Sequence, residues 1–209
     1  MILKRVIDLV ISVIALLVLL IPFAVIALAI KLDSKGSVFF RQERLGLNGE
    51  VFSIWKLRTM TNARGEQGNL LPDRLRLTPL GRRLRGSSLD ELPGLLNVIR
   101  GEMSLVGPRP LIVKYDPFFT EEERRRFDMR PGITGLALVR GRNELSWDQR
   151  IAADIQYVEH WTLWMDILIM LKTLWYVLLR RGLRIDPGAE MLDFDEERKT
   201  HSKHDLGRT

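Results

Sequence analysis

Between Leu9 and Ile30 the chain is apolar at every position except Ser12 and Pro22. A helix of that length, rising about 1.5 Å per residue, is long enough to cross a bilayer. No cleavage-site pattern follows, and the run continues through Lys31-Leu32-Asp33-Ser34-Lys35, so the segment reads as a retained membrane element. Pro22 removes one backbone hydrogen bond inside the run and predicts a kink. Lys4 and Arg5 precede the run, and Lys31, Lys35, Arg41 and Arg44 follow it, so the positive-inside rule draws both flanks to the cytoplasmic face. A helix broken at Pro22 that enters and leaves on one side satisfies both; a straight single pass with a tolerated proline is the alternative.

Alternation replaces continuous hydrophobicity after residue 36. Ser37-Val38-Phe39-Phe40 and Val51-Phe52-Ser53-Ile54-Trp55 flank a turn region at Gly46, Asn48 and Gly49, which predicts a hairpin. Residues 61–75 are polar and contain Gly65 and Gly68, predicting a loop. Helical spacing predicts helices over 78–86 and 89–100, the second with Leu92, Leu95, Leu96 and Ile99 on one face. Glu121 to Phe127 reads as a short charged helix with a solvated face. Another helix is predicted from Ser146 to about Tyr157. Trp161 to Leu179 is apolar and aromatic but carries Asp166 and Lys172, which suits a helix lying in the membrane surface better than a second crossing. From Asp186 to Thr209 the sequence is polar and reads as a mobile tail. The fold class expected is therefore mainly α with a small β-hairpin: a Pro-broken membrane helix over 1–35, a compact domain with interfacial helices over 36–184, and a tail over 185–209.

Composition narrows the chemistry. A chain of 209 residues can build one ordinary core, and a net charge of +6 implies an anionic partner. The absence of cysteine excludes disulfides, thiolate zinc and cysteine nucleophiles. Only three histidines occur, two of them (His201 and His204) in the tail, so hard, oxygen-bound Mg²⁺ is the metal this composition favours.

Against this basic background one acidic pair is conspicuous. Asp90-Glu91 follows the cationic stretch Gly81-Arg82-Arg83-Leu84-Arg85 and precedes the stiff segment Gly107-Pro108-Arg109-Pro110. Guanidinium groups match phosphate oxygens, and a carboxylate can attack phosphorus or bind Mg²⁺. The structural alternative is a capping box, Ser88 as N-cap and Glu91 reaching back, with Asp90 complementing the helix dipole. Arg130-Pro131-Gly132-Ile133-Thr134-Gly135 can cradle a nucleotide or be simple turn chemistry.

These segments form an ordered set: Phe40-Arg41-Gln42-x-Arg44-x-Gly46, Phe52-x-x-x-Lys56-x-Arg58-Thr59-Met60, Leu77-Thr78-x-x-Gly81-Arg82, Leu84-Arg85-x-x-Ser88-Leu89-Asp90-Glu91-Leu92-Pro93, Asn97-Val98-x-x-Gly101-x-Met103-Ser104-Leu105-Val106-Gly107-Pro108-Arg109-Pro110 and Arg130 to Gly135. In this register the chain resembles the bacterial sugar transferases, monotopic phosphoglycosyltransferases that start membrane-bound glycan assembly. The resemblance covers Lys4 to about Gly182. It implies transfer of a sugar 1-phosphate from a UDP-sugar to polyprenol (undecaprenyl) phosphate, with release of UMP. Asp90 would be the covalent nucleophile and Glu91 the Mg²⁺ ligand. Arg85 and Arg109 would clamp phosphates, with Lys56, Arg58 and Arg142 as weaker phosphate contacts, and Asp166 would partner a buried arginine. It also implies a re-entrant helix broken at Pro22 and a location on the cytoplasmic face of the bacterial inner membrane, without nucleic acid, and it admits a homodimer. Departures from the family pattern fall at Gly94, at Glu102 and at Leu138-Val139-Arg140. A membrane-tethered, noncatalytic nucleic-acid-binding or scaffold protein is the competing class that the charge allows.

Overall fold

The computed structural model describes residues 1–141, 145–179 and 193–206. It begins with α1 (Ile2–Asp33), followed by the antiparallel hairpin β1 (Phe39–Leu45) and β2 (Val51–Leu57). Then come α2 (Asp73–Arg76), α3 (Pro79–Gly86), a 3₁₀ turn (Leu89–Glu91) and α4 (Gly94–Arg100). Next are β3 (Ser104–Val106), a 3₁₀ segment (Val113–Phe118), α5 (Glu121–Arg124), a second 3₁₀ turn (Arg125–Asp128) and β4 (Gly132–Thr134). The chain closes with α6 (Leu136–Arg140), α7 (Trp147–Glu159), α8 (Leu163–Leu178) and α9 (Phe194–Leu206). Mainly helical architecture with one small hairpin agrees with the sequence pattern.

Pro22 lies inside α1 without dividing it, so the expected helix-break-helix is a single helical element. One stripe of α1 meets the rest of the protein along its whole length. Lys4, Asp8, Ser12 and Ile30 are buried, Ala15, Leu16 and Leu19 pack on one core cluster, and Phe23 and Ile26 pack on another. These positions recur every three or four residues, the spacing of one helix face. The opposite face leaves large apolar side chains bare, among them Val10, Leu17, Val18, Ile21 and Val25.

Both ends of α1 are fastened to the same body. Lys4 Nζ lies 2.6 Å from Asp166 Oδ2 and 3.0 Å from the Val106 carbonyl, and Ser104 Oγ donates to Asp8 Oδ2 at 2.7 Å. Arg5 donates to the carbonyls of Val98 and Ile99, which cap the C-terminal end of α4. At the far end, buried Arg58 donates to the carbonyls of Ile30, Ser34 and Lys35. Helix C-termini leave such carbonyls without intrahelical donors, and a cation there also opposes the dipole favourably. Asp166 accepts from Tyr157 Oη at 2.6 Å and Trp161 Nε1 at 3.0 Å besides Lys4. The arginine expected opposite Asp166 is thus a lysine, delivered from residue 4.

Three further expectations change, and one strand pairing is added to them. The helix expected over 89–100 begins late, because Pro93 stands at the N-cap of α4 and the residues before it form the 3₁₀ turn; the buried face of α4 is Gly94, Leu95, Asn97 and Val98. A parallel pair, β3 with β4, was not foreseen. The charged run after Glu121 is not merely a solvated face: Arg126 is 1% exposed and paired with Asp154. The tail is docked over residues 193–199, where Phe194 is fully buried against Tyr115, Phe119 and Trp147.

On α8, Trp164, Leu168, Leu171, Trp175 and Leu178 are exposed, while Asp166 and Ile169 face inward. This 16-residue helix therefore carries one aromatic, apolar outer face, of the kind that suits a membrane surface.

Candidate active site

Helix α3 starts at Pro79, with Thr78 capping Gly81 N from its hydroxyl, and runs tightly along the chain after β2. A Cβ at Gly81 would lie 1.9 Å from the Thr59 carbonyl oxygen, so only glycine permits this approach. The same contact brings Arg85 Nε to Thr59 Oγ1 at 3.0 Å. The chain then reverses through Ser88, a non-glycine residue at φ 57°. A side chain in this left-handed region costs roughly 1 kcal/mol or more, strain of the kind found near functional sites. Leu89 and Leu92 pack into two different core clusters and hold the turn between them. Asp90 is thereby drawn in to 8% exposure.

The capping-box alternative does not describe this turn. Ser88 makes no capping hydrogen bond to it, and Glu91 turns away to other partners. Glu91 Oε1 accepts from Lys56 Nζ at 2.8 Å and from Arg109 Nη2 at 3.0 Å. Lys56 comes from β2, whose position is fixed by fully buried Asn97 of α4. The Asn97 Oδ1 accepts from Trp55 N at 3.1 Å, and its Nδ2 donates to Ser53 O at 2.7 Å. Asn97 therefore ties the hairpin to α4 and sets Lys56 against Glu91, a role no local spacing reveals.

Arg109 reaches the same carboxylate from the loop after β3. That loop crosses the segment entering β4 at contact distance: a Cβ on Gly107 would stand 2.3 Å from Arg130 O. The glycines of the Pro-Gly-x-x-Gly segment thus serve this backbone crossing, although Gly132 to Gly135 also border the cavity described next.

Asp90, Glu91, Lys56, Arg85 and Arg109 line one cavity of about 930 Å³, together with Arg44, Tyr115, Leu138, Trp147 and Arg150. This is ample for a nucleotide sugar, given that small-molecule sites span roughly 300–1,000 Å³. Two of the expected phosphate contacts are not seen in that role among the described residues. Arg58 borders the cavity, but its guanidinium is committed to the end of α1. Arg142 lies outside the described residues. Arg44 has no site role in the sequence reading, yet it borders Arg109; burial and the Arg109 charge push its guanidinium down to about 10. Of the departures noted in the sequence, Leu138 lines the cavity, Val139 is buried in the core, and Arg140 is spent on Gln156 Oε1 at 2.6 Å.

The two acids differ electrostatically. Burial, and then the neighbouring Glu91 charge, raise Asp90 above 3.8, against the opposing pull of Lys56 and Arg85. Burial would raise Glu91 too, but Arg109 and Lys56 outweigh it and hold its carboxyl far below the usual carboxylate range. Glu91 is thus held as an anion at neutral pH, and Asp90 is a more basic, desolvated carboxylate. Among the described residues no group of three acidic or histidine side chains gathers to hold a metal by itself. The hard oxygens of an anionic Glu91 beside Asp90 do suit Mg²⁺, which commonly binds through one or two carboxylates and completes its shell with phosphates and water.

A family model described as "Bacterial sugar transferase" matches residues 1–180. The chain is 45% identical over 186 residues to a sugar transferase of Bacillus subtilis named EpsL and itself described as uncharacterized, covering 88% of this chain and 91% of that protein. It is 46% identical over 187 residues to the UDP-glucose:undecaprenyl-phosphate glucose-1-phosphate transferase of Caulobacter vibrioides, covering 81% of this chain and 67% of the other. The exopolysaccharide production protein ExoY of Rhizobium meliloti is 39% identical over 197 residues, covering 86% of this chain and 87% of that one.

Proposed function

Since the chain belongs to the bacterial sugar transferase family, we propose that it transfers a sugar 1-phosphate from a UDP-sugar to undecaprenyl phosphate at the cytoplasmic face of the inner membrane. Membership of a transferase family sets aside the noncatalytic scaffold alternative.

The reading is carried by one observation: Asp90 is a buried, cation-flanked carboxylate on the wall of a cavity large enough for the donor. Its oxygen attacks the β-phosphorus of the UDP-sugar. The bond from that phosphorus to the bridging oxygen breaks, UMP leaves with both bonding electrons, and a sugar phosphate remains on Asp90 as an acyl phosphate. An oxygen of undecaprenyl phosphate then attacks the same phosphorus and frees the Asp90 carboxylate. Two displacements replace one between two anions, the usual gain from a covalent intermediate.

Arg85 and Arg109, which line the cavity with Asp90, would meet phosphate oxygens, and Lys56 keeps Glu91 ionised and oriented. Glu91, beside Asp90, would hold Mg²⁺, which supplies charge neutralisation for the departing UMP. Every other role belongs to the side chains themselves.

A monotopic seat in one leaflet is supported by the fastening of both ends of α1. Lys4 and Arg58 tie its two ends to one body, so neither is free to lie across the bilayer from the other. The bare apolar faces of α1 and α8 then meet lipid, with the aromatic residues Trp164 and Trp175 suited to the interface. Such a seat brings a soluble donor and a lipid acceptor to one cavity.

Purified protein given a UDP-sugar, undecaprenyl phosphate and Mg²⁺ is expected to release UMP only when both substrates are present for multiple turnovers. UMP release at an equal rate with water as sole acceptor would instead make the protein a pyrophosphate hydrolase.

A further inference from the structure

We infer that the buried Arg126–Asp154 pair, although both side chains border the cavity, serves the reaction as a positioning device for Arg109. This rests on the catalytic reading of the Asp90 cavity given above.

Three successive carbonyls of the loop are held. Pro108 O accepts from Gly132 N at 2.9 Å, Arg109 O from Arg126 Nη2 at 2.7 Å, and Pro110 O from Arg44 Nη1 at 3.3 Å. The middle grip is short and charge-assisted, and it falls on the residue whose guanidinium meets Glu91. Arg126 Nη2 also donates to Asp154 Oδ2 at 2.5 Å, so α7 fixes Arg126 and Arg126 fixes Arg109. The Arg126 guanidinium lies over the Phe119 and Phe127 rings, at 5.5 and 5.2 Å from their centroids, which restricts it further.

Stability alone is a poor reason for this arrangement. The two side chains are only 1% and 3% exposed, and removing two charges from water offsets most of their attraction. Moreover, Arg126 Nε and Asp154 Oδ1 are buried without a hydrogen-bond partner among the described residues. Apolar residues of similar volume would fill the space at least as well. What they would not supply is a donor to the Arg109 carbonyl. Arg109 is 48% exposed in its side chain, so its aim depends on where its backbone is held.

The test uses the full-length protein in detergent or nanodiscs, with donor turnover and thermal unfolding measured on each variant. Wild-type turnover is scored first; if it is absent, the catalytic reading fails and not this inference. The paired substitution Arg126→Met with Asp154→Leu is expected to keep the wild-type Tm yet lower kcat by about 10- to 100-fold, the scale of a small misplacement at a reacting centre. In an Arg109→Met background the same pair should cost almost nothing more, since its target is already gone. Arg126→Lys, which keeps charge and volume, serves if the paired variant fails to fold, and should also lower kcat at unchanged Tm. Wild-type kcat in a folded paired variant or in Arg126→Lys, or a loss that multiplies with that of Arg109→Met, would overturn the inference.

Discussion

Asp90 and Glu91 are consecutive residues of one 3₁₀ turn, yet their carboxyls titrate on opposite sides of the ordinary range. Burial and the Glu91 charge lift Asp90, while Lys56 and Arg109, both on one oxygen of Glu91, depress Glu91. Neighbouring carboxyls pushed apart in this way can take separate tasks. A desolvated, basic carboxylate suits attack on phosphorus; a fixed anion suits a cation.

Asp90→Asn is expected to abolish turnover, by at least about 10³-fold, as when other covalent nucleophiles are removed. It should also stabilise the protein at neutral pH. A carboxyl with its folded pKa raised above 3.8 favours the folded state only below that value and opposes it once ionised. The Tm advantage of the variant should therefore shrink as pH falls through the folded value and vanish well below 3.8, where the folded and the unfolded carboxyl are both neutral. The wild-type rate should decline tenfold per pH unit on acidification, beginning above the usual aspartate range. Paired rate and Tm profiles against pH check both statements.

Glu91→Gln carries the opposite sign. With its folded pKa depressed, Glu91 contributes stability above 4.5 that is lost as pH drops through the folded value. Replacing it leaves Lys56 and Arg109 facing an amide and should cost about 1–3 kcal/mol at neutral pH. The difference should narrow on acidification below pH 4.5. A constant difference down to pH 3, measured by denaturant unfolding, would show that the two cations do not hold Glu91 ionised.

Lys4→Met should destabilise by about 3–5 kcal/mol, because Asp166 is left buried and charged without its cation. Adding Asp166→Leu should recover only part of the loss, since Tyr157 and Trp161 lose their common acceptor as well. Full recovery in the double variant, read from Tm in nanodiscs, would mean that these two hydrogen bonds contribute nothing.

Arg58→Ala separates anchoring from substrate binding. Loss of three carbonyl contacts at the end of α1 should cost about 2–4 kcal/mol while leaving the donor KM within about twofold. A raised KM at unchanged Tm would return Arg58 to the phosphate site.

Local pattern made much of this molecule legible. The hairpin, the Thr78-capped α3, the Ser146 capping box of α7 and the outward face of α8 all follow from spacing and turn chemistry within a few residues. Asp90, Glu91, Arg85 and Arg109 stand out because acids among arginines are conspicuous, Lys56 enters only through the family resemblance, and all five gather at one cavity. Features set by distant partners stayed hidden. The β3–β4 pairing joins segments about 28 residues apart and carries no periodic signal. Lys4 looks like a flanking charge until Asp166 is seen opposite it, and Arg126 is one of three consecutive arginines, of which only the fold selects the buried one. Phe194, a lone aromatic in a polar tail, marks the docked helix, but one residue makes no pattern.

The central claim is that Asp90 carries the sugar phosphate between two substrates. Intact-protein mass spectrometry after mixing enzyme with UDP-sugar and Mg²⁺, without undecaprenyl phosphate, tests it directly. The account predicts a single sugar-phosphate adduct on Asp90, formed with one equivalent of UMP, discharged by undecaprenyl phosphate and absent from Asp90→Asn. Turnover with no adduct at rapid-quench times, or an adduct that persists in Asp90→Asn, would contradict it.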